Sequence, residues 1–198
     1  MTRALRAELV KLRSTRAWWV VLLLGLGYCL AVTGVALGTG RGAAYGGAER
    51  AYAGTLVLGV LGGAGEYRHR TIAATLLAVP RRGRAVAAGL AAYLIAGLGY
   101  AVVIVGATAA VVLAVRGLSA TAPALLLGAV LTATLYAPIG LAVGALVRDQ
   151  AAAVAGALVY IGWTAPYAGR WPGPAVLLGC AVVLAAVGAR VTLRRDVT

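Results

Sequence analysis

The chain has 198 residues, enough for one soluble domain, but 62% of them are hydrophobic and only 12% are charged. With a mean hydropathy of +0.94, too little polar surface remains to cover a water-soluble globule. The net charge of +13 does not indicate nucleic-acid binding, because the cations form short clusters between apolar runs and are not interleaved with aromatics. We therefore expect an all-α integral membrane protein without a nucleic-acid partner.

The first predicted element is an amphipathic helix over 2–15. The residues that define it are Leu5, Glu8, Leu9, Lys11 and Leu12. An apolar stripe among basic residues is typical of a helix that lies at the membrane surface, near anionic lipid. The same pattern fits a basic anchor that only holds the topology, and the pattern does not choose between the two.

Six apolar segments follow, and each is interpreted as a membrane span, since about 20 helical residues cross the hydrocarbon core. Their ranges are 17–38, 46–65, 85–115, 119–147, 151–167 and 172–192. The first is as long as a span and lacks a cleavage motif, so it is not interpreted as a signal peptide. Residues 1–198 are thus expected to form a single transmembrane domain, with the second and fifth spans the shortest.

The cations predict the orientation, because Arg and Lys beside a span are retained in the cytoplasm. Fourteen of the eighteen lie on one side of the membrane if the N-terminus is cytoplasmic. We therefore expect a multi-pass protein with both ends in the cytoplasm.

Groups that could perform chemistry are scarce. The acids, all at predicted ends or loops, are Glu8, Glu49, Glu66, Asp149 and Asp196. Coupling to an ion gradient therefore has no carboxylate at membrane depth. The sole lysine, Lys11, lies outside any P-loop motif, and the sole histidine, His69, has no nucleophile signature nearby. We expect no enzymatic activity, no cofactor and no metal.

The loop over 66–84, between the second and third spans, is more organised than topology requires. Within it, 71–79 can form a short helix that carries Ile72, Leu76 and Val79 on one stripe and stops at Pro80. An apolar helix that faces the cytoplasm favours a protein partner. A re-entrant or surface loop whose arginines meet lipid phosphates fits the same pattern.

Four stretches carry a resemblance to a known family. They are 8–18, the loop 65–84, 144–153 and the ending 188–197, and the loop is the most specific of them. Over nearly its whole length the chain resembles type-2 ABC transporter permeases, the six-helix membrane subunits of bacterial ABC exporters. The short outer connection over 167–174 departs from that family, whose members often have a longer segment there.

The resemblance implies that 71–79 is a coupling helix on which a separate P-loop ATPase docks, so that ATP is bound by that partner. It places at this interface Glu66, Tyr67, Arg68, His69, Arg70, Thr71, Ile72, Thr75, Leu76, Leu77, Pro80, Arg81, Arg82 and Arg84. A second permease copy, identical or different, would complete an exporter of a drug, peptide or lipid in the bacterial plasma membrane. The alternative is a non-transporting membrane anchor or assembly protein that docks a cytoplasmic partner through the same basic loop.

Two features inside the spans bear on a transport path. Pro138 predicts a kink in the fourth span, and Tyr136 beside it either lines a path or packs in the core. Small-xxx-small spacing occurs at Gly34/Gly38, Gly59/Gly63 and Gly140/Gly144. Because 28 glycines in 198 positions produce about four such pairs by chance, the spacing assigns none of them to a helix interface.

Overall fold

The computed structural model describes residues 2–14, 17–40, 44–68, 82–117, 119–147 and 149–164. Over these ranges the chain is all-helical and contains no strand, which confirms the predicted class for this part of the chain. The helices are α1 Thr2–Ser14, α2 Ala17–Thr39, α3 Gly46–Glu49, α4 Tyr52–Arg68, α5 Arg82–Arg116, α6 Ala122–Val147 and α7 Gln150–Thr164. The predicted span 172–192 and the predicted coupling helix 71–79 lie outside the described residues.

Three helices of this part of the chain are long and apolar enough to cross a membrane. They are Trp18–Thr39, Val86–Arg116 and Ala122–Val147, with 22, 31 and 26 residues. Large apolar side chains are exposed along them, including Leu24 at 68% and Leu127 at 62%. Such surfaces are suited to lipid and not to water. By length and composition, these three helices are compatible with a membrane protein. α4 and α7 are shorter, with 17 and 15 residues.

The segment 46–65, expected as one helix, is divided in the structure. α3 ends at Glu49, and α4 begins at Tyr52 and extends past the expected end of the span. Between them, the Arg50 amide donates to the Gly47 carbonyl over 3.1 Å, a bond that closes a turn tighter than an α-helical one. The Arg50 guanidinium also donates to the Gly46 carbonyl over 2.9 Å, which holds the turn in place.

Packing explains why the helix breaks there. α3 lies against the middle of α2, and a Cβ on Gly47 would overlap both the Thr33 hydroxyl and the Cys29 carbonyl. Only glycine therefore allows this approach. Continuation of α4 through Gly47 would remove that contact, so the buried approach to α2 is incompatible with the single helix that hydropathy predicts.

α4 is the central helix of the bundle. It contacts α2, α5, α6 and α7, and side chains such as Leu56, Val60 and Ala64 are buried. The many glycines of α4 allow neighbouring helices to pack closely around it. The core is therefore built around the helix that leads into the loop 66–84.

Three buried threonine hydroxyls are satisfied within their own helices. Thr33, Thr55 and Thr108 donate to the carbonyls of Cys29, Tyr52 and Ile104, over 2.9, 3.0 and 2.9 Å. Bonds of this type remove the cost of an unpaired polar group where no water is present. These threonines therefore support packing.

Candidate functional site

The structure describes the two ends of the predicted coupling loop. The backbone of Glu66, Tyr67 and Arg68 completes α4, and Arg82 and Arg84 lie in the first turn of α5. The remaining predicted coupling residues lie outside the described residues; they are His69, Arg70, Thr71, Ile72, Thr75, Leu76, Leu77, Pro80 and Arg81. The loop is thus attached at one end to the central helix and at the other to the longest helix of the bundle.

α4 and α6 approach backbone to backbone at two glycines of α4. A Cβ on Gly59 would lie 2.7 Å from the Leu141 amide nitrogen and 2.9 Å from the Gly140 Cα. A Cβ on Gly63 would lie 2.8 Å from the Ala145 amide nitrogen. Neither position has room for any side chain larger than hydrogen.

The partner glycines on α6 are equally restricted. A Cβ on Gly140 would lie 2.9 Å from the Val60 amide nitrogen, and one on Gly144 would lie 2.8 Å from that of Ala64. Later residues of α4 contact later residues of α6, so the two helices run parallel. This is the small-xxx-small arrangement that brings membrane helices into close contact.

The spacing alone left these three pairs unassigned, and two of the three lie at this helix interface. Gly34 and Gly38 of α2 differ, because a Cβ on either would meet no atom of the described residues within 4 Å. The number of such pairs is what chance predicts, but this number does not show which glycines face another helix. That distinction depends on the neighbouring backbone.

Tyr136 connects three helices. Only 4% of it is exposed, its ring centroid lies 4.9 Å from that of Tyr52 on α4, and its hydroxyl is 2.9 Å from that of Tyr160 on α7. Within this chain Tyr136 therefore packs between helices. Sequence analysis singled out Tyr136 but missed Tyr52 and Tyr160, since no spacing rule relates residues on three separate segments.

Pro138 lies inside α6 without ending it. Because proline has no amide hydrogen, the Thr134 carbonyl lacks its usual helical donor. Gly97 of α5 faces this point, where a Cβ would lie 3.0 Å from the Thr134 carbonyl oxygen and 2.7 Å from the Ala137 Cβ. The proline turn is thus covered by the backbone of α5.

α1 packs against α5 and combines buried and exposed faces as its pattern predicts. Leu5, Leu9 and Leu12 are half-buried, whereas Arg6 is exposed. The Lys11 ammonium lies 3.9 Å from the Glu8 carboxylate one turn earlier, an ion pair of modest strength. The helix is amphipathic, as expected, and its leucine face points towards the bundle.

A cavity of about 350 Å³ lies where α1, α2, α4 and α5 meet. Its lining consists of Leu9, Leu12, Arg13, Trp18, Leu22, Leu58, Ala96, Gly99, Tyr100 and Val103. The volume is within the range of small-molecule sites, and the lining is largely apolar. Two of the residues assigned to the surface helix, Leu9 and Leu12, thus form part of its wall.

Hydrogen bonds stabilise the arrangement of α1 and α2 beside this cavity. The Trp18 indole donates to the Arg13 carbonyl over 3.2 Å, and the Tyr100 hydroxyl donates to the Trp18 carbonyl. The Trp18 and Trp19 rings pack together with centroids 3.9 Å apart. Paired tryptophans at a helix start are typical of the membrane interface. The role of Tyr100 was not visible in the sequence, because an isolated tyrosine in an apolar run has no positional signal.

Two acids occupy helix ends, and each has a structural setting. Asp149 accepts a hydrogen bond from the Ala152 amide over 2.7 Å and so caps the N-terminus of α7. Glu49 ends α3, outside the three long helices, and partial burial raises the pKa of its carboxyl while the Arg50 guanidinium opposes that rise. Among the described residues, no group of three or more His, Cys, Asp or Glu side chains is arranged to hold a metal ion.

Comparisons of the chain with known protein families, with curated proteins and with solved structures find no match.

Proposed function

We infer that this chain is the membrane-spanning permease subunit of an ABC transporter. In this proposal it has six spans and both ends in the cytoplasm of a bacterial plasma membrane, and it exports a hydrophobic or amphipathic compound. ATP is hydrolysed by a separate ATPase subunit, and a second permease copy completes the transporter. The sequence resemblance of the loop 65–84 supports this assignment, together with one structural observation: the helix that enters the loop is the buried centre of the bundle.

Because α4 lies at the centre of the bundle, force applied at the loop 66–84 would be transmitted to the helices around it. α4 and α6 touch through their backbones at Gly59 and Gly140, so one cannot slide past the other without repacking. α6 in turn contacts α7 through Tyr136 and Tyr160. A movement of the end of α4 is therefore expected to displace three helices together, as a docked motor protein requires.

The experiment uses the full chain, co-expressed with a P-loop ABC ATPase from the same genome and reconstituted in vesicles. ATP hydrolysis is measured with and without the chain. We expect stimulation, and we expect Leu76→Glu to abolish both stimulation and co-purification, because it places a charge on the predicted docking stripe. Ala74→Glu is the matched control, since it introduces the same charge on the opposite side of the predicted helix.

The outcomes separate the two candidate functions. Stimulation that Leu76→Glu removes and Ala74→Glu retains supports the permease. Binding of the ATPase without any change in its hydrolysis rate contradicts transport and favours the anchor or assembly role. Equal effects of the two substitutions contradict the coupling-helix assignment.

A further inference from the structure

The cavity between α1, α2, α4 and α5 combines a hydrocarbon-like interior with one cation. Leu9, Leu22 and Leu58 contribute its apolar wall, and Arg13 is the charged residue among those that line it. Arg13 is exposed at the end of α1, where the surface helix turns into the first long apolar helix. The cavity therefore lies beside the membrane interface that Trp18 and Trp19 mark.

We propose that this cavity is a binding site for an anionic phospholipid. One acyl chain occupies the apolar cavity, and the Arg13 guanidinium binds the phosphate of the headgroup. This inference does not depend on the transport function proposed above, because it needs only the membrane location and the geometry of this corner.

The backbone of Arg13 is held in place by two linked hydrogen bonds. Its carbonyl accepts a hydrogen bond from the Trp18 indole, and the Trp18 carbonyl accepts one from the Tyr100 hydroxyl. The backbone at Arg13 is thus tied to both α2 and α5, the helices that form two walls of the cavity. A guanidinium is suited to a phosphate because its planar fork can donate two parallel hydrogen bonds.

The chemistry of the cavity selects one class of ligand. Hydrocarbon fills a leucine-lined space without leaving polar groups unpaired. Charge complementarity with Arg13 favours a negative headgroup. In a bacterial bilayer, anionic phospholipids are the abundant molecules that have both parts.

Gly99 offers a direct way to fill the cavity. It lines the cavity, and a Cβ at this position would meet nothing within 4 Å. A leucine side chain at Gly99 can therefore occupy the space of the acyl chain without displacing the backbone. Gly106 of the same helix is exposed and equally open, but it does not line the cavity, which makes Gly106→Leu a matched control.

The test uses the full chain with Trp19, Trp163 and Trp171 replaced by phenylalanine, so that Trp18 is the remaining indole. The protein is reconstituted in phosphatidylcholine vesicles that contain a small fraction of brominated phosphatidylglycerol, and quenching of Trp18 fluorescence is measured. We expect half-maximal quenching at a lipid fraction about fivefold lower than for brominated phosphatidylcholine, as one arginine contact at the surface allows.

Four variants decide the outcome. Arg13→Gln should remove the preference for phosphatidylglycerol, and Arg6→Gln should retain it. Gly99→Leu should reduce quenching by both brominated lipids, and Gly106→Leu should not. Unbrominated phosphatidylglycerol should restore fluorescence in the parent protein, whereas inorganic phosphate should not.

Equal losses in the Arg6 and Arg13 variants would show diffuse attraction of anionic lipid and overturn the site. Unchanged quenching in Gly99→Leu would overturn occupation of the cavity by an acyl chain. Displacement by inorganic phosphate would assign the site to a free anion and also overturn the proposal. The helix content of each variant is compared by circular dichroism, and the two control substitutions show whether such changes alone disturb Trp18.

Discussion

Gly59 of α4 and Gly140 of α6 lie so close that a Cβ added to Gly59 would be 2.9 Å from the Gly140 Cα. The two helices therefore meet through backbone atoms, with no side chain between them. In lipid, where burial of apolar surface gives little driving force between helices, such close van der Waals contact is a main source of association.

Gly59→Ala should destabilise the bundle by about 2 kcal/mol, because the added methyl group must push α4 away from α6. The free energy of unfolding is measured by titration with sodium dodecyl sulfate in mixed micelles. Gly34→Ala is the control, since a Cβ there meets nothing within 4 Å. Alanine is the better helix former by up to about 1 kcal/mol, so this variant should be neutral or slightly more stable. Equal destabilisation of the two variants would contradict the contact.

The hydroxyls of Tyr136 and Tyr160 should be energetically coupled. The oxygens are 2.9 Å apart, and a double-mutant cycle of Tyr136→Phe and Tyr160→Phe should yield a coupling of about 0.6 kcal/mol, typical of hydrogen bonds between membrane helices. The same cycle of Tyr136→Phe with Tyr100→Phe should be additive, because the Tyr100 hydroxyl donates to the Trp18 carbonyl instead. Coupling of similar size in the two cycles would show that the effect is not local.

Gly47→Ala should expose Cys29. Cys29 is only 1% exposed. A Cβ on Gly47 would overlap the Cys29 carbonyl, so the methyl group of the new alanine must displace α3 from α2. In a Cys180→Ala background, the rate of alkylation by N-ethylmaleimide should rise about tenfold, as expected when overpacking favours local opening. Gly38→Ala, which meets no neighbour within 4 Å, should leave the rate unchanged. No increase in the Gly47 variant would show that α3 does not cover this cysteine.

Glu49→Gln should stabilise the protein at neutral pH. Partial burial raises the pKa of the Glu49 carboxyl above its ordinary value of 4.5, so the folded state favours the protonated form. The stability of the parent protein therefore falls as the pH rises from 4.5 through the raised pKa, whereas glutamine stays neutral. Unfolding midpoints should differ at pH 7 and converge below pH 4.5.

Glu8→Gln is the control for this pH dependence. Glu8 pairs with Lys11, so the substitution removes an attraction and should not raise the stability at pH 7. A constant difference between Glu49→Gln and the parent across the pH range would exclude the carboxyl as its cause.

Much of the helix placement could be predicted because hydropathy is a property of each segment alone. The segment 17–38 appears as Ala17–Thr39, and 85–115 appears as Arg82–Arg116. The segment 46–65 does not form the single helix that was predicted. Gly47 packs on α2, and this contact requires a break in the helix that the local sequence pattern does not indicate.

The residues of the candidate site could likewise be predicted only in part. Leu9 and Leu12 were placed on the correct face of α1 because helical periodicity relates residues one turn apart. Gly99 and Tyr100 of the cavity were not identified, since their importance depends on which helix packs beside α5. The position of Tyr160 opposite Tyr136 was hidden for the same reason.

Composition and residue spacing were sufficient to predict the all-helical fold, the extent of the long apolar helices and the amphipathic character of α1. These depend on the number and spacing of apolar and charged residues within one segment. The packing of the helices shows that Gly59 and Gly140 meet, that Gly34 and Gly38 face no neighbour among the described residues, and that a cavity forms beside Arg13. Such contacts depend on the register and rotation of helices far apart in the chain, and the spacing of residues within a single helix does not specify them.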